Sequence, residues 1–204
     1  MRGNRLGVAV AAVGAVLLVL AVVLVPRLVG GDEEAAGTVR SGDAGTSAAT
    51  EPPDESSGLD QVVEYDVGEV QHTEDRVDYA QSPPVGGDHA PQWLECGAYD
   101  EPVREENAVH SLEHGTVWIT YDPDLPAADV DALERQLPEK GILSPYDGLP
   151  SPVVVTVWNL QLALTGADDP RLADFVAEYG DGGSAPEPFA SCAGGVTALE
   201  SQDS

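Results

Sequence analysis

Apolar positions crowd the start of the chain and then recur at two other spacings further on. From Leu6 to Val25 twenty residues pass without a charge, the length a helix needs to cross about 30 Å of hydrocarbon. A transmembrane helix is expected at 6–25. Residues 1–5, with Arg2 and Arg5, stay cytoplasmic by the positive-inside tendency, and everything after Arg27 is exported. A cleaved signal peptide is the competing reading. Its apolar core usually runs about 7–15 residues and closes on small residues, whereas Val25, Pro26 and Arg27 follow a longer run here. No Cys follows the apolar run, so a lipoprotein anchor has no point of attachment.

Residues 28–58 are Gly, Ala, Ser, Thr, Pro, Asp and Glu with almost nothing large and apolar. Such a segment buries too little surface to offset its ordering entropy and reads as a disordered linker. A globular domain is expected over 59–192, with a flexible tail at 193–204. In it QVVEYDVGEV alternates roughly like a strand, and an irregular Pro- and Gly-rich stretch runs to Asn107. Asn107 as N-cap and Gly115 as C-cap bracket two helical turns. TVWITY (116–121) and SPVVVTVWN (151–159) read as buried strands, separated by a helix opened by Asp124 and Pro126 and carrying Val130, Leu133 and Leu137. That order predicts a right-handed crossover between neighbouring parallel strands. A last helix begins at Asp169 and Pro170, carries Leu172, Phe175, Val176 and Tyr179 on one stripe, and ends at Gly180. The fold class is α+β or α/β: one small domain with a short mixed sheet and two to three helices.

Composition adds compartment and exclusions. Nine Lys and Arg against 36 Asp and Glu give a charge of −27, which repels phosphate backbones and anionic lipid heads and excludes nucleic acid as a partner. Arg2, Arg5 and Arg27 are three of the nine, so the exported part holds six basic residues against all 36 acidic ones, a charge of −30. The only membrane contact expected is the N-terminal helix. Cys96 and Cys192 are the only cysteines, both beyond the span in an oxidising compartment, and they are expected to form a disulfide. It would staple PEPFASC to the loop after Trp93.

The four histidines, His72, His89, His110 and His114, are confined to residues 72–114. On a helix His110 and His114 lie one turn apart on one face, as two imidazoles meeting one metal ion must. His89, in the rigid turn PPVGGDHAP, can present a third ligand, and His72 a fourth. Imidazole ligands suit copper or zinc. Glu113 is expected to point away from the centre of the His pair, and nothing in the sequence ties Glu187 to it. His110-Ser111-Leu112-Glu113-His114 also matches the H-x-x-E-H signature of inverted zinc peptidases, with Glu113 as the one visible base. Those sites need a long helix, and Gly115 ends this one at once.

PPVGGDHAPQWLECGAYDEPV and NAVHSLEHGTVWITYDPDLP together resemble an exported, membrane-anchored actinobacterial family catalogued as domain-of-unknown-function 3105. The resemblance covers roughly residues 59–190. It rests on His72, Val77 and Tyr79, on Gly87 and His89, on Trp93, Gly97 and Tyr99, and on His110, Leu112, Glu113, His114 and Gly115. It implies a membrane-anchored exported module and brings no established activity. The readings in order are a metal-binding exported domain, a cell-envelope interaction module with structural histidines, and a metal-dependent hydrolase.

Overall fold

The computed structural model describes residues 58–197. The expected span at 6–25, nearly all of the linker and the last residues of the tail lie outside the described residues. Among the described residues no helix is long and apolar enough to cross a membrane.

A 3-10 turn at Gly58–Gln61 leads into β1 (Val63–Glu64). An irregular stretch follows, then β2 (Gly97–Ala98), α1 (Glu105–Glu113), β3 (Val117–Tyr121), α2 (Ala127–Glu134), β4 (Gly141–Pro145), β5 (Val153–Val157), β6 (Leu160–Leu164) and α3 (Arg171–Tyr179). The strands form one six-stranded mixed sheet in the order β1-β6-β5-β3-β4-β2. With its three helices this is a small α+β domain.

β3 is buried along its whole length because both faces of the sheet are covered. Val117, Ile119 and Tyr121 pack with Leu133 of α2 and with Leu172 and Phe175 of α3. Trp118, on the opposite face, packs with Ala108, Val109 and Leu112 of α1 and with Leu94. The period of two along β3 thus sorts the helices onto two sides of the sheet.

The crossover runs differently from the sequence expectation. β5 does neighbour β3, but antiparallel, with Ile119 opposite Val155 and Thr120 opposite Val154. The parallel neighbour reached through α2 is β4, from Val117 opposite Gly141 to Tyr121 opposite Pro145. Five residues bounded by Gly and Pro carry no strand signature of their own. Gly141 is needed there because a Cβ would meet the Leu137 side chain at 2.7 Å and the Pro138 carbonyl at 2.8 Å. The expected strand at QVVEYDVGEV shortens to the two residues of β1.

α1 begins three residues earlier than expected, with Arg104 rather than Asn107 at its N-cap. Asn107 lies inside it, buried, and its Nδ2 donates to Gln92 O at 2.6 Å instead of capping the helix. Glu105 and Glu106 occupy the first turn, where the helix dipole favours negative charge. The other end stops one residue before the expected cap: His114 is the C-cap, and Gly115, at φ +80°, follows it, donates its N–H to Leu112 O and turns the chain into β3.

The disulfide is present, with Cys96 and Cys192 at a Cα separation of 5.5 Å. Order continues past it. Val196 N donates to Trp93 O, and Glu95 N to Val196 O, so residues 193–196, expected in a flexible tail, are held to the domain.

Candidate metal centre

Two of the site's histidines are brought together by backbone pairing. His89 N donates to Gln71 O at 3.1 Å and Thr73 N to His89 O at 2.7 Å, an isolated parallel bridge that sets His72 beside His89. α1 then receives that segment. Ala90 N donates to Glu106 O, Leu94 N to Asn107 O, and Ser111 Oγ donates to Leu94 O at 2.8 Å. The His72 side is clamped by the buried Glu106 carboxylate, which accepts from Val77 N at 2.9 Å and Arg104 Nε at 2.9 Å. Arg104 Nη2 donates in turn to Glu74 O.

The side chains converge. One ligand atom from each of His72, His89, His110 and Glu113 lies within 4.8 Å of every other. His89 is 1% exposed, the Glu113 side chain 15% and the His72 side chain 55%, so the group opens to solvent on the His72 side. The ring centroids of His72, His89 and His110 are 4.9–5.0 Å apart in all three pairs.

Proton positions follow from the partners. His89 Nδ1 lies 2.8 Å from Gly87 O, His110 Nδ1 2.7 Å from Ala90 O and His114 Nδ1 3.0 Å from Ser191 O. A carbonyl only accepts, so each Nδ1 carries the proton and donates, and in the neutral ring each Nε2 is left as a lone pair. This is the outer-shell arrangement that orients imidazole ligands around a metal. The Nε2 lone pairs then face other acceptors: His89 Nε2 meets Glu113 Oε2 at 3.2 Å, and His110 Nε2 meets His114 Nε2 at 3.1 Å. Only a cation, whether a proton or a metal ion, reconciles such contacts. Burial pushes the His110 imidazole down to about 4, against the bond to Ala90 O and with help from His89, His114 and His72. His110 is therefore neutral at physiological pH, the form that coordinates.

The structure places the sequence candidates unevenly. His72, His89 and His110 come together. Glu113, expected to point away, joins them, because it lies three residues after His110 on the same helix face and His89 descends onto that face. His114, at the C-cap of α1, touches His110 but stands outside the four-residue group. Two further residues, which the sequence reading did not place at the histidines, stand beside them. Glu187 Oε2 lies 3.8 Å from His114 Nε2, and the Trp93 ring lies 5.8 Å from His110 and 5.2 Å from His114. The cavities flanking the group, of about 270 and 320 Å³, are lined by Ala90–Gln92 with Asn107 and by Gly86–Asp88 with Tyr79. Neither provides a substrate wall at the four donors themselves.

The family model described as protein of unknown function (DUF3105) matches residues 71–194, more than half of the chain. The chain belongs to this family. The DUF3105 match takes in both sides of the site, from His72 to Glu113, together with Cys96 and Cys192. No curated protein and no solved structure matches the chain. The DUF3105 relationship therefore carries no activity, and the chemistry is argued from the side chains.

Proposed function

We propose that this chain is a membrane-anchored, extracytoplasmic domain that binds one transition-metal ion through His72, His89, His110 and Glu113. One observation carries the reading. Two buried imidazoles have their Nδ1–H groups tied to backbone carbonyls, which turns their Nε2 atoms toward a third histidine and a carboxylate, with one ligand atom from each of the four within 4.8 Å of the others. Three imidazoles and one carboxylate suit zinc or copper, and the hard cations find oxygen ligands elsewhere on so acidic a surface.

The hydrolase reading is weaker, because a catalytic Glu113 must be free to move a proton, whereas its Oε2 is held against His89 at 3.2 Å. Anchoring and export rest on the uncharged run Leu6–Val25, on the basic residues before it and on the disulfide, which suits an oxidising compartment. Protease added to intact cells is expected to remove the domain and leave the amino end.

Metal analysis of the purified full chain tests the site. Zinc is expected to bind at one equivalent, and free zinc held at a hundred times its dissociation constant is expected to add about 2.7 kcal/mol to stability, seen as a raised Tm. Copper is expected to quench Trp93 fluorescence, given its 5.8 Å ring separation from His110. His72→Ala removes a half-exposed ring and is expected to cut zinc affinity at least tenfold with little change in the metal-free Tm. Absence of any zinc-dependent rise gives first place to an interaction module with structural histidines.

A further inference from the structure

We infer a second coordination position, built from His110, His114 and Glu187, which shares His110 with the first and so competes with it for a single ion. This position presupposes the metal-binding reading above and extends it to where the ion can move.

The argument starts at the contact between His110 Nε2 and His114 Nε2, 3.1 Å apart. Both rings turn Nδ1–H to a backbone carbonyl, His110 to Ala90 O and His114 to Ser191 O, which leaves Nε2 of each as the free ring nitrogen. In the neutral rings the two nitrogens face each other as acceptors, an arrangement that repels unless a cation, a proton or a metal ion, lies between them. The separation is close to what two nitrogens show on a common zinc, about 3.4 Å for metal–nitrogen bonds near 2.1 Å in a tetrahedron. The rings meet edge-on, at 86°, with centroids 4.6 Å apart, which leaves both lone pairs clear of stacking.

The anionic partner comes from the other end of the chain. Glu187 Oε2 lies 3.8 Å from His114 Nε2, and its side chain is 61% exposed, so it can close on an ion without unpacking the core. Its loop is fixed where it matters. Glu187 N donates to Glu113 O at 3.0 Å, Lys140 Nζ donates to both His114 O and Pro188 O, and the Cys96–Cys192 bond sits beside Ser191.

His110 has one free nitrogen, so it serves His72, His89 and Glu113 or it serves His114 and Glu187, not two ions at once. The donors form a file from half-exposed His72, through buried His89 and His110, to His114 and exposed Glu187. An ion can enter at one end and be handed across His110 toward the other.

Equilibrium dialysis of the full chain against Zn²⁺ tests this, with circular dichroism to verify folding of each variant. Wild-type protein is expected to bind one zinc. His72→Ala/Glu113→Gln, which strips the accessible half of the first position, is expected to bind one zinc at least tenfold more weakly. Adding Glu187→Gln to that background is expected to weaken it a further tenfold or more, and adding His114→Gln to abolish it. If the double variant holds no zinc up to millimolar concentration, or if neither added change weakens the residual binding, the second position is overturned while the first stands. If wild-type protein binds no zinc, the metal-binding reading itself falls. Glu187→Gln is a surface change, so a folding defect does not obscure the result.

Discussion

What prepares single residues for the site is the hydrogen on Nδ1 of His89, His110 and His114, placed by a backbone carbonyl two to 77 positions away in sequence. That detail is invisible in the sequence, because Gly87, Ala90 and Ser191 contribute only main-chain oxygens. The grouping of histidines was legible, and Glu113 could have been added from its i+3 spacing to His110. The pairing of His72 with His89 could not, since it depends on an irregular segment without periodicity. A different residue offers the cleanest pH test, away from the site. Asp169, buried at the start of α3, accepts from the Arg171 guanidinium, Thr165 N and Arg171 N, and the guanidinium above all holds its carboxyl below the ordinary carboxylate range. A carboxyl whose pKa is lowered by folding stabilises the fold fully above its unfolded value of about 4, and that contribution is lost progressively as pH falls from there through the lower folded value. Asp169→Asn is expected to cost about 2 kcal/mol at pH 7. In urea melts at pH 7, 5 and 3, the gap between wild type and variant should close toward acid; a gap independent of pH would mean that the charge contributes nothing.

On the scale of elements, α1 matters most, since it carries His110 and Glu113 and ends at His114. Its back is fixed by burial of Ala108, Val109 and Leu112 against Trp118 and Leu94. Shortening Leu112 to Ala is expected to cost about 2–5 kcal/mol, read from denaturant melts, and with it the fixed separation of the two liganding side chains. The strong strands β3 and β5 and the stripe on α3 were legible because they are long, apolar and periodic. β4 was not, because a Gly and a Pro bound its five residues, and its absence from the sequence reading turned an antiparallel neighbour into an expected parallel one. The stop after α1 was legible, and the structure supplies its reason. At Gly115, φ +80° is a conformation that side chains resist, and a Cβ would lie 3.0 Å from Gly182 Cα. Gly115→Ala is expected to destabilise by about 1–3 kcal/mol in thermal melts. Gly148 has a similar φ of +74° but open space around it. Gly148→Ala should therefore show the backbone cost alone, and equal losses at the two positions would show that the close approach to Gly182 is unimportant.

For the molecule as a whole, the site and the disulfide do separate work. The four donors come from residues 72–113 and need the sheet and α1 beneath them, whereas the Cys96–Cys192 bond spans 96 positions and fastens the chain after α3 back to the loop beyond Trp93. A cross-link of that span stabilises chiefly by shrinking the unfolded ensemble, with typical values of about 2–4 kcal/mol. Cys96→Ser/Cys192→Ser is therefore expected to melt roughly 10 °C lower than wild type. The same variant, studied well below its Tm, is expected to keep one zinc, because none of the four primary donors lies on the fastened segment. The position involving Glu187 and His114 should weaken more, since Ser191 O, the acceptor that sets His114, adjoins Cys192. Full loss of zinc from the folded variant would show that the tail builds the primary site, and would move its centre from the face shared by His89 and Glu113 to the contact between His110 and His114.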